Sequence, residues 1–376
     1  MTLVPDPVNA GTAWAPVALL PYPPRGRFTG NMANQTHPGR DPATAVDVWL
    51  PVYNASATLG CALESLLRQT HGAMRIIAVD DGSDDGSGDI LDAFAARDRR
   101  MSVTHLAHAG LVPALQACAE RSDTAFVARA DADDVYLKRR LSLQLARARA
   151  DDRPALVGTG VRQFPSAMIG GGMRAYTTWV NALGAAGHLH RDRLIECPIV
   201  HSTFLFRRDA YDRVGGYRDT GGPEDFDLLL RFVEAGGTLA SVPDVVTLWR
   251  LHESSLQKRD RRYRPEAFLR TKLDHLRRLE IIDGRAVVIW GQTHAGKWLA
   301  EQLQAAGTEV AGFIELDHRK IGQRPFGVLV VDARDYVPAA DALHINMVRH
   351  LDARVFFREA LGRAGLQEWQ DFVVMQ

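Results

Sequence analysis

From Val46 onward the apolar positions switch repeatedly between two periods, short continuous runs and residues spaced three or four apart. The runs fit buried strands and the spaced residues fit one face of a helix. A strand is predicted over 46–51, then a helix whose apolar face is Leu59, Leu63, Leu66 and Leu67. Next come a strand over 74–79, a helix carrying Ile90, Leu91 and Phe94, a strand near 101–106, a helix near 111–119 and a strand over 124–128. Such alternation predicts α/β architecture, a mostly parallel sheet between helices. After a helix near 137–150 the rhythm fades into mixed structure that includes the glycines at 170–172. An Arg-rich polar stretch over 252–264 reads as a linker running into a helix that ends near Ile282. From Gly284 the rhythm restarts, with strands over 285–290, 310–314 and 328–331 and a helix over 295–305. The expected organisation is therefore an arm over 1–44, a large α/β domain over 45–252, a helical linker over 253–283 and a smaller α/β domain over 284–376. No repeat of fixed period is found, so solenoid architectures are not expected.

Composition narrows the function. Lys+Arg and Asp+Glu both total 45, so the formal net charge is zero and no whole-chain field draws the protein to nucleic acid or an anionic membrane. Any anionic ligand must be held locally. Cys61, Cys118 and Cys197 are far apart and match no metal-ligand spacing, which predicts reduced thiols and, as the simplest location, the cytoplasm. No apolar run approaches the roughly 20 residues that span a bilayer, and the N-terminus lacks a basic region followed by an apolar stretch. No transmembrane segment is expected, which leaves peripheral membrane association open. Residues 1–44, rich in Pro, Gly, Ala and Asn, read as a disordered or extended arm.

In open sheets of this kind ligands bind beyond the carboxyl ends of the strands, where loops and helix N-termini converge. Three such loops carry candidate chemistry. After the first strand stands Pro51-Val52-Tyr53-Asn54, and after the second Asp80-Asp81-Gly82-Ser83. Carboxylates there can accept from the N–H of a base or from ribose hydroxyls, although an isolated Asp-Gly-Ser is more often a capped polar turn. The fourth strand ends in Asp131-Ala132-Asp133-Asp134, where two acids flanking a spacer can hold Mg²⁺ or Mn²⁺ together with a diphosphate. Glu224 and Asp225 open an amphipathic helix bearing Phe226, Leu229, Leu230 and Phe232. They fit either dipole complementation or a general base. A helix N-terminus favours the ionised carboxylate, so a low pKa is expected for Asp225.

The order of these elements resembles the inverting family 2 glycosyltransferases of the GT-A fold. The residues that carry the resemblance are Pro51, Tyr53, Asn54, Asp80, Asp81, Gly82, Ser83, Asp131, Asp133, Asp134, Glu224 and Asp225, within a stretch over about 46–252. The resemblance implies metal-dependent transfer of a sugar from a nucleoside diphosphate donor, UDP-linked, to an acceptor hydroxyl that the sequence does not identify. It also implies a place in cell-surface polysaccharide or glycoconjugate synthesis. Pro51, Tyr53, Asn54, Asp80, Asp81 and Asp131 would then border the nucleotide sugar, with Asp81 at the uracil. Asp133 would ligate the metal, with Asp131 and His252 beside it. Asp225 takes the base position, next to Glu224. Tyr176, Trp179 and His201 could line the acceptor pocket, while helical spacing reads Tyr176 and Trp179 equally well as core. Two departures are Lys138, where a proline is frequent, and Asp47 with Trp49 inside the first strand.

The C-terminal stretch reads Gly291-Gln292-Thr293-His294-Ala295-Gly296 after its first strand, a Gly-x-Gly-x-x-Gly turn whose middle glycine is Thr293. That replacement argues against a bound dinucleotide, and packing or protein contacts are the expected role. Nucleotidyl transfer is disfavoured because no Gly-rich triphosphate loop precedes the acids. A docking or regulatory protein that binds a sugar nucleotide without turnover is the remaining alternative.

Overall fold

The computed structural model describes residues 44–253 and 255–376, so the arm expected over 1–44 lies, apart from Thr44, outside the described residues. Along the chain β1 (Val46–Val52), α1 (Ser56–Leu67), β2 (Met74–Asp80), α2 (Ser87–Ala95), β3 (Met101–His105), α3 (Leu111–Glu120) and β4 (Phe126–Arg129) alternate as the apolar pattern predicts. The stretch expected to be mixed is more regular. It contains β5 (Val135–Tyr136), α4 (Arg140–Ala148), β6 (Leu156–Phe164), α5 (Gly171–Ala186), β7 (Leu205–Arg207), α6 (Arg208–Arg213), α7 (Glu224–Glu234) and β8 (Leu239–Arg250). The connecting stretch then forms α8 (Leu256–Arg259) and α9 (Pro265–Arg278). Last come β9 (Val287–Trp290), α10 (His294–Ala305), β10 (Val310–Glu315), β11 (Val330–Asp332), β12 (Leu343–Asn346), α11 (Leu351–Arg363) and β13 (Phe372–Val374).

The strands form two sheets, one ordered β3-β2-β1-β4-β7-β6-β8-β5 and one ordered β11-β10-β9-β12-β13. In the first, β1 to β4 are mutually parallel where they pair, β7 runs antiparallel to β4 and β6, and β6 and β8 are parallel. Every pairing in the second sheet is parallel. The fold is thus α/β with a large mixed sheet and a smaller parallel one.

β1 is buried along its whole length, which accounts for its apolar run and makes its two odd residues informative. Asp47 is 0% exposed and is satisfied by Arg75, 2.7 Å away, and by the Ser122 hydroxyl at 2.9 Å. Trp49 packs edge-on against Phe206 and Tyr211. Both departures therefore serve the core. The predicted linker is not a loose tether either. Leu269, Leu273 and Leu276 of α9 share one buried cluster with Phe226, Leu229 and Leu230 of α7 and with Val287 and Ile289 of β9. Burial of such apolar area is the main stabilising term in folding, so α9 joins the two sheets through a common core. Among the described residues no helix is long and apolar enough to cross a membrane.

Candidate active site

The loops after β1, β2 and β4 and the start of α7 bear the predicted residues. Asn54 adopts a left-handed φ of 48°, which Asn tolerates better than most residues. Its backbone N–H donates to Ser83 Oγ at 3.0 Å and its Oδ1 accepts from the Asp84 N–H at 3.0 Å, so the first two loops are tied together. Gly82 is required here. It has φ +73°, and a Cβ would lie 2.7 Å from the His108 backbone nitrogen.

Asp80 and Asp81 are both buried and act first as anchors. Asp80 accepts from the Ser83 N–H at 3.1 Å and pairs with His105 at 2.9 Å, and His105 is raised in pKa by its two acid neighbours against the lowering effect of burial. Asp81 accepts from the N–H groups of Ala109 and Gly110, each at 2.8 Å, and meets His108 Nδ1 at 2.8 Å. The rings of His108 and Tyr53 stack with centroids 4.0 Å apart, and both side chains are about half exposed. This pair forms an aromatic platform at the edge of the site. His108 escaped the sequence reading, because a polar loop histidine becomes informative only once Tyr53 is beside it. Pro51 is buried in β1.

The acids after β4 take separate partners, the first of them a buried cation. Asp131 Oδ1 lies 2.7 Å from Arg129 Nη2. Burial works against the Arg129 charge, but Asp131, Tyr217 and Tyr136 outweigh it and raise its pKa. Arg129 Nε and Nη1 have no hydrogen-bond partner among the described residues, so a buried positive charge sits under the site with only part of its donors used. A lone charge in Ala128-Arg129-Ala130 was the sequence signal for it. Asp133 Oδ2 stands 2.7 Å from His252 Nε2, bringing together two residues 119 positions apart. Asp134 is buried and accepts from the Arg250 N–H at 2.8 Å. Desolvation first, and Asp131 second, raise the pKa of both Asp133 and Asp134.

A divalent cation fits one part of this set. Asp133 and His252 present a hard oxygen and an imidazole at one open position, whereas Asp131 is committed to Arg129. No group of three or more His, Cys, Asp or Glu converges on one point among the described residues. The remaining ligands would have to come from a bound diphosphate and water, the usual arrangement for Mg²⁺ or Mn²⁺.

Glu224 and Asp225 lie in the first turn of α7. Glu224 is 1% exposed and takes Tyr263 Oη at 2.8 Å and 2.9 Å from its two oxygens. His201 Nδ1 is 3.6 Å away, while His201 Nε2 meets the Tyr217 hydroxyl at 2.7 Å. Burial, with Arg129 adding to it, holds the His201 pKa well below its ordinary value, so this imidazole is neutral. Asp225 remains partly open, and its Oδ1 accepts from the Phe226 N–H at 2.7 Å. The expectation of a low pKa is overturned. Desolvation and then the neighbouring Glu224 push Asp225 up to about 8. The helix N-terminus is the weaker influence, because burial and then the adjacent Glu224 carboxyl outweigh about 1 kcal/mol of dipole.

Tyr176 and Trp179 lie on α5 and pack with Trp249 against Val161, Val180 and Val200. The Tyr176 hydroxyl donates to the Cys197 carbonyl at 2.9 Å. These contacts give both residues a packing role, and His201 of the expected acceptor group lies 3.6 Å from Glu224. A cavity of about 400 Å³ lies between Gly110–Gln116 of the α3 region, Asp219 and Gly221 before α7, and Asp260–Arg262. A larger one of about 650 Å³ belongs to the second sheet, between Gln304, Val310 and Arg324–Leu329, and holds none of these acids.

The model of the family "Glycosyl transferase family 2" matches residues 47–215. The chain is 31% identical over 196 residues to the putative glycosyltransferase EpsE of Bacillus subtilis (strain 168), covering 51% of this chain and 67% of that protein. It is 29% identical over 218 residues to the amylovoran biosynthesis glycosyltransferase AmsE of Erwinia amylovora, covering 56% of this chain and 78% of that protein. Among solved structures, that of S. aureus TarS 1–349 in complex with UDP-GlcNAc superposes with a TM-score of 0.48 at 16% identity, over 69% of this chain and 71% of that one.

Proposed function

The chain belongs to glycosyl transferase family 2, and on that premise we propose that it moves a sugar from a UDP-linked donor to an acceptor hydroxyl with inversion, in the making of a cell-surface polysaccharide or glycoconjugate. The observation that carries this reading is the half-buried Asp225 in the first turn of α7, pushed up to about 8 by burial and then by Glu224, together with the Asp133–His252 contact at 2.7 Å. A base is most effective when its pKa lies near the operating pH.

In this reading the Tyr53–His108 platform and the Asp80 and Asp81 loops border the nucleotide, and Asp131, fixed by Arg129, borders the sugar or ribose. Asp133 and His252 would hold Mg²⁺ or Mn²⁺, which supplies charge neutralisation for the departing diphosphate. Asp225 orients the acceptor hydroxyl and receives its proton as the hydroxyl oxygen bonds to the anomeric carbon and the bond to the diphosphate breaks. Buried Arg129 adds a fixed positive field beneath the acids, the kind of preorganised electrostatics that stabilises developing negative charge. We assign residues 45–252 to the catalytic domain, 253–283 to a connecting segment and 284–376 to a Rossmann-like domain that makes protein contacts, with the whole working in the cytoplasm.

Screening nucleotide sugars against the full chain by thermal shift, with and without Mn²⁺, identifies the donor, since a ligand that binds the native state raises its apparent stability. Transfer then requires release of free nucleoside diphosphate that depends on added acceptor. Donor binding without any such release across an acceptor panel would make the protein a binder rather than an enzyme.

A further inference from the structure

The segment between the two sheets reaches into the acid pair. α9 is clamped to α7 at both ends. Phe268 packs on Phe226 with ring centroids 5.9 Å apart, and Glu234 at the end of α7 takes His275 Nδ1 at 2.7 Å and Arg278 Nε at 2.8 Å. Gly222, just before α7, approaches α9 so closely that a Cβ would lie 2.5 Å from Thr271 Oγ1. This docking fixes the turn over Arg261–Tyr263, which Asp260 caps by accepting from the Arg262 N–H at 2.9 Å and holding the Arg262 guanidinium at 2.7 Å. Tyr263 is thereby aimed at Glu224.

We propose that Tyr263 is a positioning residue for the transfer step: its hydroxyl holds Glu224 as the ionised member of the Glu224–Asp225 pair and leaves Asp225 as the carboxyl group that exchanges a proton with the acceptor. The inference rests on the reading of Asp225 as the base.

Two adjacent carboxyl groups in a crowded site titrate as a pair, and the one with the better donors ionises first. Burial raises the Glu224 carboxyl, and against it stand the Tyr263 hydroxyl across both oxygens and the guanidinium charges of Arg262 and Arg129. Neutral His201 faces it from the turn before β7. Asp225 has the N–H of Phe226 and the more distant Arg129. The other groups around it, Tyr176 of α5, Cys197 and Tyr217, are neutral side chains whose own ionisation is suppressed by burial. Once Glu224 is charged, its field keeps the proton on Asp225 into the neutral range. Removing the Tyr263 hydroxyl takes away a charge-assisted hydrogen bond, among the strongest of its kind. The shared proton then moves to Glu224, and Asp225 ionises at lower pH.

The test is an infrared pH titration of the carboxyl bands in the full chain, with ¹³C-glutamate labelling to separate Glu from Asp, on the wild type, Tyr263→Phe, Glu224→Gln and Asp225→Asn. In the wild type near neutral pH, a protonated carboxyl band that is insensitive to the label and missing from Asp225→Asn is expected. In Tyr263→Phe that band should shift with the label, and the Asp225 midpoint should fall by about one pH unit. Glu224→Gln removes the same charge directly and should lower the Asp225 midpoint as well, which keeps the test decisive if Tyr263→Phe does not fold. An unlabelled band with the wild-type midpoint in either variant overturns the proposal. Wild-type turnover in Asp225→Asn would refute the base assignment alone, because the infrared result still reports which carboxyl Tyr263 controls.

Discussion

The two sheets share the strand order of their parallel centres, β3-β2-β1-β4 in one and β11-β10-β9-β12 in the other, yet their carboxyl edges are chemically unlike. At the second edge the polar groups satisfy one another. Glu315 pairs with Lys320 at 2.6 Å and accepts from the Gln292 N–H at 3.0 Å. Thr293 Oγ1 caps α10 by accepting from the Gly296 N–H at 3.0 Å, and its hydroxyl donates to the Met347 carbonyl at 3.0 Å. At the first edge burial raises the pKa of Asp133, Asp134, Glu224 and Asp225, with Asp131 adding to it for the first two and Glu224 for the last. One arrangement of strands therefore supports two chemically different edges, one closed by a Glu315–Lys320 ion pair and one holding several buried acids. Function resides in the site rather than the topology.

Changing the reactive edge should alter catalysis, and the largest effect is expected from Asp225→Asn. This variant keeps the shape of the residue while removing its capacity to take a proton. Steady-state kinetics should show a loss of roughly 10²-fold or more in kcat, within the usual range for acid–base contributions, with donor affinity nearly unchanged. Near-normal turnover would move the base to Glu224 or elsewhere.

The neutralised edge should respond in stability instead. A Cβ on Gly296 would lie 2.2 Å from the Gly291 carbonyl oxygen, backbone that cannot easily give way. Gly296→Ala should therefore cost about 3 kcal/mol in urea unfolding, at the upper end of overpacking effects. Thr293→Ala, which removes the cap, should cost about 1 kcal/mol. Neither change should alter kcat per folded molecule, and a selective loss of kcat in either would show that the second edge takes part in transfer. The smallest expected response is none at all: fluorescence titration of the full chain with NADH should show no saturable binding, because Thr293 replaces the glycine that lets a pyrophosphate approach and Glu315 is engaged by Lys320. Micromolar binding would erase the contrast between the edges.

The reactive edge was legible along the chain to the extent that its chemistry follows directly from strand ends. Asp80, Asp81, Asp131 and Asp133 could be placed because buried apolar runs locate the carboxyl edge, and Glu224 and Asp225 because an amphipathic helix follows them. What the sequence could not reveal depends on long-range packing. Tyr263 lies 39 residues from Glu224 in a stretch whose polarity reads as a linker, and only the docking of α9 on α7 aims it at the site. The pKa of Asp225 went the wrong way for the same reason, since the helix N-terminus is visible in sequence whereas desolvation and a charged Glu224 beside it are not. Asp47 and Trp49 looked like flaws in β1 until Arg75, Ser122 and the ring of Phe206 were placed beside them.

The most direct test of the first edge as a metal-dependent nucleotide site is calorimetric titration of UDP into the full chain in the presence of Mn²⁺, repeated with EDTA and with Asp133→Ala. Binding by the wild type that is lost or strongly weakened on chelation and in the variant is the predicted result, since Asp133 with His252 offers the position for the cation. Equal affinity in all three samples would contradict it.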